Sequence, residues 1–403
     1  MTSNEEAIEC TRKCIERGED ISLCFINCVI GDELLFEARK WIDVFKDLTV
    51  KVSKLYGFTN VLFSREFGSF IRDPRLHLRK KLFIYTHDLH RGRLKPGDYG
   101  PRAAAALRTS LRTNLRTLYQ NWAFMGIIYN LYRDGVYVVY PEYKVLSLER
   151  SGKQRLRWIP PNLVLDIPGI GSLSFFIEVP RPLAWEDSSD LRESWKLYTA
   201  LRPDIMVYGG RVMDIVDINS NPPIKKPDII IECKELIDWY ARIRDVRGPL
   251  AKPLTAEEWR NLWIQGLWDG LADVLGVTRR EAIEEVKKRK GIRLNEVKIV
   301  ELYRSVYNPK EMILISKYGV PNGIRRQLEG HDIIVIDNVG FDIDALSEVA
   351  DRIKKYARHP DEYIFKIRDH EVAELIHRII ELLDSGRISL NELKYLIESY
   401  IST

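Results

Sequence analysis

RPDIMVYGG (Arg202–Gly210) and KPDIIIECKEL (Lys226–Leu236) are two short apolar runs, each opened by a Pro-Asp pair. Their β-branched content predicts strands. Pro203 and Asp204 start the first, and Glu232 and Lys234 end the second. Side chains alternate along a strand, so Glu232 and Lys234 share one sheet face, and a hairpin through Val212 to Ile224 brings Asp204 beside them. Two carboxylates and an ammonium then converge at strand ends. Hard oxygen ligands of this kind hold Mg²⁺ or Mn²⁺, and a nearby ammonium can orient a water. Asp228 also follows a proline and shares the parity of Glu232. Four residues of strand, however, span about 13 Å, too far for two carboxylates to share one cation.

Working outward, Asp32 to Tyr56 carries Leu35, Ala38, Trp41, Ile42, Phe45, Leu48 and Val52 at helical spacing. Arg65 to Pro101 gathers Arg, His, Gly and Pro and reads as a loop-rich connection or exposed arm, with a domain boundary near residue 100. Arg102 to Tyr132 is helical again. After Gly135 the pattern turns to strands: VYVVY, KVLSLE, LRWIP, LVLDI, SLSFFIEV, DIMVYG, VMDIVDI and DIIIECK. Helices follow at Thr255 to Leu275 and Arg279 to Lys290. MILIS, a short helix at Gly323 to Leu328, DIIVID and a helix from Ile343 to Tyr356 give a β-α-β-α end. Two amphipathic helices, Glu371 to Leu383 and Leu390 to Ile401, close the chain.

The Asp strand, the strand bearing Glu-Cys-Lys and the helix after it, preceded by a long helix and several strands, resemble the PD-(D/E)XK nuclease superfamily. That resemblance implies an α/β fold with a restriction-endonuclease-like mixed β-sheet core flanked by helices, spanning residues 101–340. Residues 1–100 form a helical N-terminal region and 341–403 a C-terminal helical region. It further implies a Mg²⁺- or Mn²⁺-dependent DNA nuclease in which Asp204 and Glu232 bind metal, the carbonyl of Cys233 adds a ligand and Lys234 positions water. Many relatives carry a Glu on the helix before the sheet. Here that helix holds no acid, and Gln120 and Glu142 are the nearest substitutes. Gln265 resembles the glutamine that faces the site in RecB-like members, although an ordinary polar position on a Trp-rich helix is the alternative. A catalytically inactive DNA-binding or assembly protein with a degenerate nuclease fold is the rival reading, and an accessory protein docking through its helices is a third. The resemblance also allows a homodimer.

Charge is unevenly spread. Met1 to Asp47 has 11 acidic and 6 basic residues, whereas Arg72 to Arg116 has 12 basic and 3 acidic. Arg108, Arg112 and Arg116, one helical turn apart, with Lys80, Lys81, Arg91 and Arg93, are candidates for phosphate contact. No GxxxxGK[ST] loop or zinc-finger spacing occurs.

Four cysteines form Cys10-x3-Cys14-x9-Cys24-x3-Cys28. Each pair lies on one helix face, and Gly18 to Asp20 breaks the pattern between them, so an antiparallel α-hairpin sets Cys10 opposite Cys28 and Cys14 opposite Cys24. Two disulfides follow; a Zn²⁺ site and an iron-sulfur cluster are the alternatives. Few Gln and Met among many Lys, Arg, Glu and Ile is the usage of thermophiles, archaea among them, whose interiors tolerate disulfides. No apolar run spans a bilayer and the N-terminus lacks a secretory pattern, so a cytoplasmic location is expected.

Overall fold

A computed structural model describes residues 4–132, 135–149, 159–179, 202–217, 220, 222, 224–246, 268–289, 292–359 and isolated positions beyond. Residues 1–357 form one compact unit and 358–403 a second. Gln265, most of LRWIP and most of the two C-terminal helices fall outside the described residues.

The chain begins with helices α1 (Asn4–Glu16) and α2 (Ile21–Ile30), bonded Cys10 to Cys28 and Cys14 to Cys24. This is the pairing that antiparallel packing demands. Sulfurs committed to disulfides offer no thiolate to zinc or iron. Helix α3 (Asp32–Tyr56) follows its apolar stripe residue for residue and ends on Gly57 at φ +67, a left-handed stop that glycine adopts without a Cβ penalty.

Strand β1 (Asn60–Leu62) then leads to α4 (Arg65–Arg72), α5 (Pro74–His90) and α6 (Pro96–Leu131). The loop-rich reading of 65–101 is therefore corrected. Its helical signal was present as N-caps: the Ser64 side chain accepts from Phe67 N and Asp73 from Leu76 N, with Pro74 at the first turn. Buried Phe67, Phe70, Ile71, Leu78 and Leu82 supply the packing face. A boundary near residue 100 would cut α6 near its start.

Among the described residues, seven strands form one mixed sheet. In chain order they are β2 (Tyr137–Tyr140), β4 (Leu163–Ile167), β5 (Gly171–Ile177), β6 (Ile205–Gly209), β7 (Ile229–Lys234), β10 (Glu311–Ser316) and β11 (Ile333–Ile336). Across the sheet the order is β11-β10-β7-β6-β5-β4-β2. Pairing from β2 to β7 is antiparallel, and β7, β10 and β11 run parallel. KVLSLE yields β3 (Val145–Ser147), which pairs with β1 outside the main sheet, and VMDIVDI contributes only the bridge Val216–Ile224. A second small ribbon joins β8 (Ile243–Val246) to β9 (Ile292–Asn295).

The sheet is apolar on both sides because helices cover both. Ile229, Ile231 and Cys233 of β7 face a core shared with α3 and α6, while Ile230 faces the opposite core with Val297 and Val300 of the helix Glu296–Tyr307, here α8, after α7 (Arg279–Arg289). Each large side chain so buried contributes roughly 1.5–3 kcal/mol. At Gly126 of α6 the absence of a side chain lets Leu346 approach, since a Cβ would lie 2.5 Å from Leu346 Cδ1. Two helices, α9 (Asn322–Glu329) and α10 (Ser347–Lys354), complete the unit; the helix expected from Ile343 begins as a 3-10 turn at Asp344–Leu346.

Candidate active site

Strand register builds the site. Ile177 pairs with Ile205, and Ile205 with Ile231. One step further along three neighbouring strands come Glu178, Asp204 and Glu232, with Glu178 N donating to Asp204 O at 2.9 Å. All three are buried, at 6%, 5% and 4% exposure. Like charges directly opposite one another weaken a sheet, so this row is held against its own repulsion. Glu178 also sits at φ +49, a left-handed conformation that costs a non-glycine residue about 1–2 kcal/mol.

Donors converge on these acids. Gln120 Nε2 of α6 donates to Asp204 Oδ1, Cys233 N donates to Asp204 Oδ2 at 2.7 Å, and Asp204 N donates to Glu232 Oε2 at 3.3 Å. Lys234 Nζ donates to Glu232 Oε1 at 2.8 Å and to Glu296 Oε2 at 2.9 Å. Glu296 is the first residue of α8, where the helix dipole favours an acid. Burial pushes the Asp204 carboxyl well above the usual range and the Glu232 charge adds to this, against Lys234 and the Cys233 N–H. Glu235 is likewise raised by burial, against a backbone hydrogen bond and the charges of Arg116, Lys234 and Arg242.

These groups line one pocket of about 160 Å³, whose wall also carries Arg112, Arg116, Arg202 and Arg242. Arg202 lies 3.9 Å from Glu178. Carboxylate oxygens are the donor type that a hard divalent cation takes, and Asp204 and Glu232 supply that chemistry here, although the oxygens of Glu178, Asp204 and Glu232 do not all come within 4.8 Å of one another.

The structure thus brings together Asp204, Glu232, Lys234, Gln120, Arg112 and Arg116. Cys233 contributes its backbone while its thiol packs in the core toward α6. Glu142 is an exposed turn residue, and Arg108 is half-buried on α6 without lining the pocket. Lys80, Lys81, Arg91 and Arg93 lie on α5 or the turn after it, also away from the pocket; Lys81 pairs with Glu66 at 2.9 Å and Arg93 with Asp88 at 3.7 Å. Asp228 sits at the other end of β7, accepting from Gly209 N and paired with Lys310 at 2.7 Å.

Sequence reasoning passed over Glu178, Arg202, Glu235, Arg242 and Glu296. Glu178 had a signal, because it directly follows an apolar run, Phe175 to Ile177, as Glu232 follows Ile229 to Ile231. Glu296 had none, since an acid opening a helix reads as an ordinary terminal charge.

Behind the site, Lys317 N donates to Lys234 O at 2.8 Å. Its ammonium is buried 3.1 Å from the centroid of Trp41, with Tyr318 and Phe341 alongside, and has no hydrogen-bond acceptor among the described residues. Burial lowers its pKa to about 8, opposed by Glu37 and Glu235. In the unfolded chain a lysine titrates near 10.4. Between these values the unfolded chain binds the extra proton, so stability rises as pH climbs from about 8 to 10. Lys317→Met is expected to lack this part of the rise, checked by denaturant midpoints at pH 7 and pH 10. Equal pH dependence in both proteins would contradict the burial argument.

Among the described residues no helix is long and apolar enough to cross a membrane. No family model, curated protein or solved structure matches the chain.

Proposed function

We propose that this chain is a metal-dependent DNA nuclease of the PD-(D/E)XK type, with a restriction-endonuclease-like core. The observation that carries the reading is the pairing of Asp204 and Glu232 on adjacent antiparallel strands, with Lys234 bonded to Glu232 at 2.8 Å in an arginine-lined pocket. Asp204 and Glu232, with the Cys233 carbonyl, would hold Mg²⁺ or Mn²⁺. When bound, such an ion supplies Lewis acidity and lowers the pKa of a coordinated water.

The chain's own residues supply the rest. Lys234 donates to Glu232 and Glu296, which fix its ammonium beside the acids, where it can orient an incoming water. Arg112 and Arg116, one turn apart on α6, offer planar donors to phosphate oxygens. Burial of the acids keeps competing solvent out and strengthens each electrostatic contact.

One observation favours the second reading, an inactive DNA-binding or assembly protein: an amide, Gln120, occupies Asp204 from the helix that carries an acid in many superfamily members. Incubating labelled DNA with the full chain in Mg²⁺, Mn²⁺ or EDTA separates the two. Products with metal and none with EDTA are expected. Retained binding with intact DNA in every condition would favour the inactive protein.

A further inference from the structure

We infer that the DNA taken by this site is single-stranded, either a free strand or a strand frayed from a duplex, and not a continuous double helix. The inference rests on the nuclease reading and concerns its substrate. Its first ground is depth. Glu178, Asp204, Glu232, Lys234 and Glu296 are each no more than 6% exposed, so a scissile phosphate must enter the pocket to meet them. The second is size. At about 160 Å³ the pocket falls below the roughly 300 Å³ at which small-molecule sites begin. A duplex holds its phosphates on a rigid, broad cylinder whose major groove alone is about 12 Å wide. A single strand can bend one phosphate inward and leave its neighbours outside.

The third ground is the lining. Arg112, Arg116, Arg202 and Arg242 come from three separate parts of the chain, α6, the approach to β6 and the approach to β8, and so surround an entering phosphate. Trp239 lines the same pocket, and its buried indole N–H finds no acceptor among the described residues. A buried donor without a partner is costly, and a phosphate or sugar oxygen would satisfy it. Cationic walls that track the backbone are what sequence-tolerant single-strand binders use.

The test compares four DNA probes with the full-length protein in Mg²⁺ and in Mn²⁺: a labelled single-stranded oligonucleotide, a duplex with a single-stranded flap, a blunt linear duplex and a relaxed, covalently closed duplex circle. The single strand and the flap should be cut on the order of a hundredfold faster than the closed circle, the factor by which about 1 Å of misplacement slows a reaction. Cutting of the closed circle at a rate similar to the single strand would overturn the inference while leaving the nuclease reading intact. Absence of cutting on all four probes would remove the nuclease reading and this inference with it. Fluorescence anisotropy on Glu232→Gln supplies a measurement free of turnover, in which the single strand should bind more tightly than a blunt duplex; equal or weaker binding would count against the inference.

Discussion

Glu232→Gln is expected to lower metal-dependent DNA cleavage by on the order of 10³-fold, the loss typical when one preorganised polar group leaves a transition-state site. Gln keeps the size of the side chain and can still accept from Lys234, so the fold survives and the loss is chemical. Rates should fall in kcat rather than in KM, because the carboxylate acts on the reacting centre and not on the remainder of the strand. Lys234→Ala is a different case. It leaves Glu232 and Glu296 buried without their shared cation, and breaking a buried ion pair in this way costs about 3–5 kcal/mol. A lowered melting temperature should therefore accompany its loss of activity. Full activity in Glu232→Gln would sink the assignment of Glu232, whereas an unchanged melting temperature in Lys234→Ala would mean that water already screens the two acids.

Reducing both disulfides is expected to destabilise the protein by about 4 kcal/mol. In the chain-entropy account a loop of about 15 residues contributes roughly 3 kcal/mol. The outer bond, Cys10–Cys28, closes a separation of 18 residues, and the inner bond, Cys14–Cys24, closes 10 within it and so adds less. The hairpin matters beyond its own length because Ala7, Ile26 and Val29 belong to the core shared with α6. Opening it exposes that end of α6, the helix that also delivers Gln120, Arg112 and Arg116. Urea midpoints with and without reductant, with thiols titrated in parallel, provide the check. Five titratable thiols and an unchanged midpoint would mean that the bonds contribute nothing to stability.

Local order determined much of this molecule. Period-two alternation put Glu232 and Lys234 on one sheet face, helical spacing defined α3 from Asp32 to Tyr56, and the symmetric cysteine spacing fixed the pairing of the α-hairpin. These features depend on residues a few positions apart, whose geometry a strand or a helix sets by itself. The caps at Ser64 and Asp73 were equally local, yet basic and turn-forming residues around them hid two helices.

Only the tertiary structure decided what surrounds the two motif strands. Strand register set Glu178 opposite Asp204, and the packing of α8 on the sheet brought Glu296 to Lys234 across 62 positions of chain. Gln120 reached Asp204 across 84 positions because α6 crosses the sheet where β6 begins. Register and helix placement are set by the burial of many side chains at once, so no short window of sequence contains them. The pocket's depth and the four arginines in its wall have the same origin.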